Sequence, residues 1–142
     1  MKILEIEFKN YRSFRGVKKI SFDPHETKNI NLILARNITG KTNVMNSVLW
    51  TLHGKTTEAL EDPHLIINRA VGEYKKTENG NFEYTKKVSA YVQIKIIHRS
   101  ETYVIKREIS SESSKTSVVV QKVTGGNYKK IPGDPGVFIN KL

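Results

Sequence analysis

The polar and apolar positions at the start of the chain predict two paired strands. Apolar residues at positions 4, 6 and 8 alternate with two glutamates, and this period of two is typical of a strand with one buried face. Residues 17–22 are suited to pair with that strand across a turn at residues 10–16. The chain therefore begins with a predicted antiparallel hairpin.

The next two segments predict a buried strand followed by a helix. Residues 29–35 form an almost unbroken apolar run, which is expected of a strand covered on both faces in the middle of a sheet. After a short polar loop, apolar residues recur with the spacing of one helical face, at Val44, Met45, Val48, Leu49 and Leu52. Gly54 is suited to end this helix at its C′ position. We interpret Trp50 as a packing residue of the same helix.

The second half of the chain predicts an antiparallel meander. Residues 55–80 are mostly polar apart from an apolar patch at residues 65–67, so we expect a long connection with one short helix. Alternating positions then predict three antiparallel strands, which include residues 88–96, 103–105 and 118–123. The turn-rich tail predicts a short helix at residues 136–142. These elements together predict an α/β fold with a mixed sheet, an antiparallel meander and one main helix.

Composition argues against several classes of protein, among them disulfide-bonded, membrane-spanning and secreted proteins. A chain of 142 residues fits one domain. The absence of cysteine excludes disulfides and thiolate metal sites, and the four histidines lack the spacing of zinc ligands. No apolar run approaches the roughly 18 residues of a membrane span, and the glutamates in the first apolar stretch argue against a secretory signal. We therefore expect a cytoplasmic protein without a membrane partner, with association to the nucleoid left open.

The charge of the chain is strongly positive. Twenty-four Lys and Arg residues against fourteen Asp and Glu residues give a formal net charge of +10 at pH 7. Such a charge attracts polyanions, DNA included. Many of the lysines lie in predicted loops and on strand faces, where solvation explains them equally well. Charge supports a DNA partner without establishing one.

One motif carries specific chemistry. Residues 35–42, Ala-Arg-Asn-Ile-Thr-Gly-Lys-Thr, match the phosphate-binding loop pattern if alanine is allowed at its first position, and they lie between the predicted strand and helix. Loop amides and a helix N-terminus direct positive partial charge at phosphate oxygens. We expect Lys41 to bind the β and γ phosphates of ATP and the Thr42 hydroxyl to ligate Mg²⁺. The predicted nucleotide-binding residues of this segment are Arg36, Asn37, Ile38, Thr39, Gly40, Lys41, Thr42 and Asn43.

Three stretches of the chain resemble the N-terminal lobe of SMC-like ABC ATPases. They are residues 4–14, with the turn Asn-Tyr-Arg-Ser-Phe, residues 31–42 with the phosphate loop, and residues 44–54 with the first helix. This family includes the SMC proteins, RecF, the Rad-type partner of the Mre nuclease, and DndD of phosphorothioate-DNA systems. Residues 65–68 and the strand with residues 103–107 look most like the Rad-type and DndD branches.

The resemblance implies a P-loop NTPase half-lobe over residues 1–142, a single N-terminal lobe of an ATPase head that ends before the Q-loop. It implies that Arg12 helps to hold the bound ATP, and that residues 62–68 lie near the nucleotide. It also implies partners: the C-terminal lobe of the same ATPase, a second head as an ATP-dependent homodimer, DNA without sequence specificity, and a nuclease. The implied roles are DNA repair, DNA processing or DNA-modification defence. Because the other elements of the site belong to these partners, we expect no catalytic residue here and no ATPase activity from the chain alone.

Two residues depart from the family pattern. Ala35 and Ile38 each stand where the family usually has glycine. If position 38 requires a positive φ, a β-branched residue there costs about 1 to 2 kcal/mol and crowds the ligand. An alternative hypothesis is therefore a degenerate loop, in a domain that serves as a non-catalytic scaffold or a DNA-binding module.

Overall fold

The computed structural model describes residues 1–23, 30–34, 36, 40–57 and 63–142, with the backbone alone at position 114. Within these residues the chain is a mixed α/β structure, in which a six-stranded sheet is covered on one face by a long helix. The elements are β1 (Lys2–Tyr11), β2 (Phe14–Ser21), α1 (Lys41–His53), a 3-10 helix (Pro63–Ile66), β3 (Tyr74–Lys76), β4 (Phe82–Tyr84), β5 (Ser89–His98), β6 (Glu101–Ser110), β7 (Ser113–Thr124), β8 (Asn127–Lys130) and α2 (Pro135–Ile139).

The sheet has the order β2-β1-β5-β6-β7-β8, and each of these neighbouring pairs is antiparallel. The predicted first hairpin and the predicted meander are both confirmed. The first strand of the chain lies beside β5, with Ile6 opposite Ile94 and Phe8 opposite Val92. This long-range pairing joins the hairpin to the meander in one sheet. Strands β3 and β4 form a separate two-stranded hairpin.

Alternation along the strands produces the core. In β5 the buried residues Ala90, Val92, Ile94 and Ile96 alternate with partly exposed ones, as a sheet with one covered face requires. Helix α1 covers that face, and Trp50 is only 3% exposed, which confirms its packing role. Each large apolar side chain buried in this layer stabilises the fold by about 1.5 to 3 kcal/mol.

The face that α1 buries differs from the predicted one. Met45 is 69% exposed and Leu49 is 38% exposed, so the prediction that they face the core was wrong. Small polar residues are buried on this face of α1 instead of Met45 and Leu49. Their burial is tolerated because their hydroxyls form hydrogen bonds within the helix. The Ser47 hydroxyl donates to the Val44 carbonyl at 2.6 Å, and the Thr51 hydroxyl donates to the Ser47 carbonyl at 2.7 Å.

The predicted central strand at residues 29–35 is contradicted wherever it is described. Residues 30–34 have no strand structure, and Ile30, Leu32 and Leu34 are 91%, 76% and 82% exposed. A strand requires a neighbour that accepts and donates backbone hydrogen bonds, and none of the described strands pairs with this segment. The sheet is for that reason antiparallel throughout its described strands, where we expected a mixed sheet.

The predicted long connection at residues 55–80 contains the expected short helix, but it also contains strand β3, which the polar sequence did not predict. The apolar patch at residues 65–67 lies at the C-terminal end of the 3-10 helix. Its residues Ile66 and Ile67 are each only 1% exposed. The tail forms α2, whose first turn is capped by the Asp134 carboxylate accepting from the Gly136 amide at 2.7 Å. In the described part of the chain, neither helix has the length and apolar character needed to cross a membrane.

Candidate functional site

Helix α1 begins at Lys41, directly after Gly40. Gly40 has a φ of 102°, a left-handed conformation that favours glycine. A Cβ atom at this position would lie 2.9 Å from the Ser13 Oγ and 3.2 Å from the Phe14 ring. The start of α1 is therefore in close contact with the turn between β1 and β2, and only glycine allows that approach.

The turn between β1 and β2 has a strained backbone that a distant segment holds in place. Asn10 and Arg12 have positive φ values of 51° and 46°, which are uncommon for residues with a side chain. The Arg12 amide donates to the Ile66 carbonyl at 2.7 Å. The Asn68 side-chain amide donates to the Arg12 carbonyl at 2.6 Å, and its backbone amide donates to the Asn10 carbonyl at 2.7 Å. These bonds fix the position of Arg12 beside α1.

Two side chains of the first helical turn make defined hydrogen bonds. The Lys41 ammonium donates to the Arg36 carbonyl at 2.9 Å, and the Asn43 side-chain amide donates to the Ser13 hydroxyl at 2.8 Å. Lys41 and Thr42 are exposed to solvent. The structure thus gathers Arg36, Gly40, Lys41, Thr42 and Asn43 at the start of α1, with the Arg12 turn next to them.

Four residues of the motif, Ala35, Asn37, Ile38 and Thr39, lie outside the described residues. The phosphate contacts of Asn37, Ile38 and Thr39 stay predictions, as do the effects of Ala35 and Ile38 on the loop.

The described residues fit an anionic ligand. The first amides of a helix have no acceptor within the helix, and the Gly40 N-cap has no side chain to accept from them. The first turn contains no acidic residue, and Lys41 contributes a full positive charge. The Thr42 hydroxyl is an oxygen ligand of the kind that Mg²⁺ prefers. A polyphosphate with its metal ion matches this set of groups.

Tyr11 lies under the same turn. Its ring packs 5.6 Å from the Trp50 ring, centroid to centroid, and the residue is fully buried. Burial raises the pKa of the Tyr11 phenol well above its usual range, and the charge of Arg12 acts in the opposite direction. No atom within the described ranges accepts from or donates to its hydroxyl. Tyr11 is therefore a neutral packing residue that supports the turn.

The sequence analysis assigned no contact to two residues that support this site, Ser13 and Asn68, although the resemblance placed residues 62–68 near the nucleotide. Both act by contacts between segments far apart in the chain: Ser13 with Asn43, and Asn68 with the Arg12 turn. The available signal was weak. Asn68 directly follows the apolar patch at residues 65–67, where a polar side chain is well placed to bond exposed backbone groups.

Comparison with protein families agrees with this geometry. A family model described as an AAA domain matches residues 5–132, a range that includes the β1–β2 turn, the start of α1 and the meander. No curated protein matches the chain. Because the match spans most of the sequence, the chain belongs to the AAA domain family and is a nucleotide-binding, ATPase-like domain.

Proposed function

We propose that the chain is the ATP-binding N-terminal lobe of an SMC-like ATPase head with a P-loop. The observation that carries this proposal is the junction at Gly40, where a helix start with a lysine and a threonine lies against an arginine-bearing turn. Membership of the AAA domain family supports it. A helix N-terminus without acidic residues and with an adjacent cation is a binding site suited to phosphate groups.

Each described residue has a role in this proposal. Lys41 binds the β and γ phosphates, the Thr42 hydroxyl ligates Mg²⁺, and the amides of the first turn face the phosphate oxygens. Arg12 contacts the nucleotide from the neighbouring turn. Bound Mg²⁺ would supply positive charge that offsets the charge of the phosphates.

Hydrolysis in this proposal depends on other parts of the ATPase. The first turn of α1 has no carboxylate to orient a water molecule. We propose that the C-terminal lobe and a second head, in an ATP-dependent homodimer, complete the site. The exposed apolar segment at residues 30–34 supports a partner that covers it, because such a segment gains stability when it is removed from water. We assign that role to the C-terminal lobe of the same ATPase.

We also propose a role on DNA in the cytoplasm, in repair, processing or modification defence, with a nuclease as a further partner. The net charge of +10 supports a DNA partner. If lysines and arginines bind DNA phosphates, affinity should fall steeply between about 50 and 200 mM salt. A binding constant that does not change with salt, measured by fluorescence anisotropy on duplexes of different sequence, would remove this part of the proposal.

The alternative function is a scaffold or DNA-binding module with a degenerate loop. One described contact favours it: the Lys41 ammonium already donates to the Arg36 carbonyl, a bond within the loop segment. An ammonium has three donors, however, so this bond by itself does not exclude phosphate contacts.

A fluorescent ATP analogue distinguishes the two functions. Titrated against the wild-type chain, it should bind saturably, and Lys41→Ala should abolish binding because the charge at the phosphates is lost. Lys95→Ala, on the sheet in β5, is the matched control and should bind like wild type. Absence of wild-type binding together with a gain in Ile38→Gly would instead support the degenerate loop.

A further inference from the structure

A cavity lies at the end of α1 opposite to the proposed nucleotide site. It has a volume of about 500 Å³ and lies between the last turn of α1, strand β6 and α2. Since α1 has 13 residues, its two ends are roughly 20 Å apart. The side chains that define the cavity are Leu49, Leu52, His53, Lys55, Arg107 and Asn140.

The guanidinium of Arg107 is held rigidly at the wall of this cavity. Its Nε donates to the Thr51 carbonyl at 3.1 Å, and its Nη1 donates to the Thr116 hydroxyl at 3.0 Å. Gly54 allows this placement, because a Cβ atom there would lie 3.2 Å from Nη1. Nη2 has no acceptor within the described ranges, so its two N–H groups are available to a ligand.

Among the residues that the structure describes, no opposite charge balances Arg107. Burial lowers the pKa of its guanidinium, and no carboxylate in the described chain forms an ion pair with it. A partly buried cation without a counter-charge is costly. His53 and Lys55 add basic groups to the same cavity, and its described lining contains no Asp or Glu. The site is therefore suited to an anion.

Part of the cavity lining is apolar and limits which anion fits. Leu49 is 38% exposed, and Leu52 lies beside it in the cavity. A phosphate of a nucleic acid backbone is strongly hydrated and would leave the leucines uncovered. A carboxylate on a short hydrocarbon arm can pair with Arg107 while its apolar part covers the leucines.

We propose that this cavity binds a carboxylate carried on a short apolar arm, with Arg107 as the anion-binding residue and Leu49 and Leu52 as the apolar contact. Such a group occurs as an acidic side chain of a protein segment and as a free small organic acid. The site is separate from the nucleotide site, so the two proposals stand or fall independently.

NMR titration of the ¹⁵N-labelled protein with 4-methylpentanoate tests this site. We expect saturable shifts of the Arg107 Nε–H signal and of the His53 and Lys55 amides. The uncharged amide of the same acid and inorganic phosphate should each bind at least roughly tenfold more weakly, because the first lacks the charge and the second lacks the apolar arm.

Substitutions of the basic residues test whether the Arg107 guanidinium binds the carboxylate. Arg107→Lys keeps a positive charge but loses the planar fork, and it should weaken binding about fivefold or more. Lys106→Gln is the matched control, since it is the next residue of β6 and its partner contacts lie with Tyr91 and Glu108; binding should be unchanged. If Arg107→Lys does not fold, Lys55→Gln at an exposed position should still reduce affinity roughly two- to threefold.

The source of the carboxylate is resolved by a second ligand, the peptide acetyl-Leu-Glu-Leu-amide. Binding tighter than that of the free acid supports a protein segment, and equal or weaker binding supports a small organic acid. The proposal is overturned if the uncharged amide or phosphate binds as well as 4-methylpentanoate, if Arg107→Lys binds like wild type, or if the cavity residues show no saturable shift.

Discussion

At the scale of single residues, two tyrosine hydroxyls near the candidate site differ in their hydrogen bonding. The Tyr11 hydroxyl is buried without an acceptor in the described chain, although its ring packs on Trp50. The Tyr84 hydroxyl donates to the Ile67 carbonyl at 2.7 Å and so ties the β3–β4 hairpin to the segment that supports the Arg12 turn. The first hydroxyl costs stability and the second contributes it.

Phenylalanine substitutions measure this difference. Tyr11→Phe should leave the free energy of unfolding unchanged or raise it by up to about 1 kcal/mol, because a buried group without a partner is removed. Tyr84→Phe, the matched control, should lower it by about 1 kcal/mol through the lost bond. Urea denaturation followed by the fluorescence of Trp50, the single tryptophan of the chain, provides the measurement. A loss in Tyr11→Phe as large as that in Tyr84→Phe would show that the Tyr11 hydroxyl has a partner.

At the scale of elements, the position of helix α1 along the chain was predicted, but the face that it buries was not. Its end at Gly54 follows from local chemistry, because a left-handed C-cap favours glycine: Gly54 has a φ of 70°, and its amide donates to the Trp50 carbonyl. The buried face could not be predicted from apolar spacing. Ser47 and Thr51 satisfy their own hydroxyls in the helix and become buried, and a hydropathy pattern does not record such bonds.

Strands and site contacts also differ in how far they can be predicted, because some depend on local sequence and others on distant segments. The alternating positions of β5 predicted a half-buried strand because alternation is a local property. The segment at residues 30–34 was predicted as a strand from apolar composition, but pairing depends on a neighbour elsewhere in space. Likewise, the site contacts of Ser13 and Asn68 join distant segments, and the sequence alone gives no measure of their proximity.

Alanine substitutions at two glycines separate backbone strain from close contact. Gly54 and Gly16 have nearly equal φ values of 70° and 69°, but a Cβ atom meets the Arg107 guanidinium at 3.2 Å in the first and nothing within 4 Å in the second. Both variants should lose about 1 to 2 kcal/mol from the left-handed backbone. Gly54→Ala should lose at least about 1 kcal/mol more, because Arg107 must move. Equal losses in thermal or urea unfolding would contradict the close packing of Arg107 on the end of α1.

At the scale of the whole molecule, the sheet and α1 form a core that leaves one apolar segment outside. Ile30, Leu32 and Leu34 are largely exposed, and Met45 and Leu49 on α1 are exposed as well. These side chains contribute little to the stability of the described chain. Their exposure agrees with the proposed role of the chain as one lobe of a larger ATPase head.

Charged substitutions test whether the segment belongs to the core. The double variant Leu32→Lys with Leu34→Lys should change the free energy of unfolding by less than about 0.5 kcal/mol, since both side chains already lie in water. Ile94→Lys, at a position only 1% exposed, should prevent folding or cost more than about 3 kcal/mol. A loss of more than about 2 kcal/mol in the double variant would mean that residues 30–34 pack against the core.

The central claim is that a nucleotide binds at the start of α1 beside the Arg12 turn. ¹H–¹⁵N NMR spectra recorded during a titration with Mg²⁺-ATP locate the contact directly. The account predicts that the largest amide shifts lie at residues 40–43 and 12–14, that they saturate, and that Lys41→Ala removes them. Shifts centred elsewhere in the fold, or no saturable shifts at these residues, would contradict it.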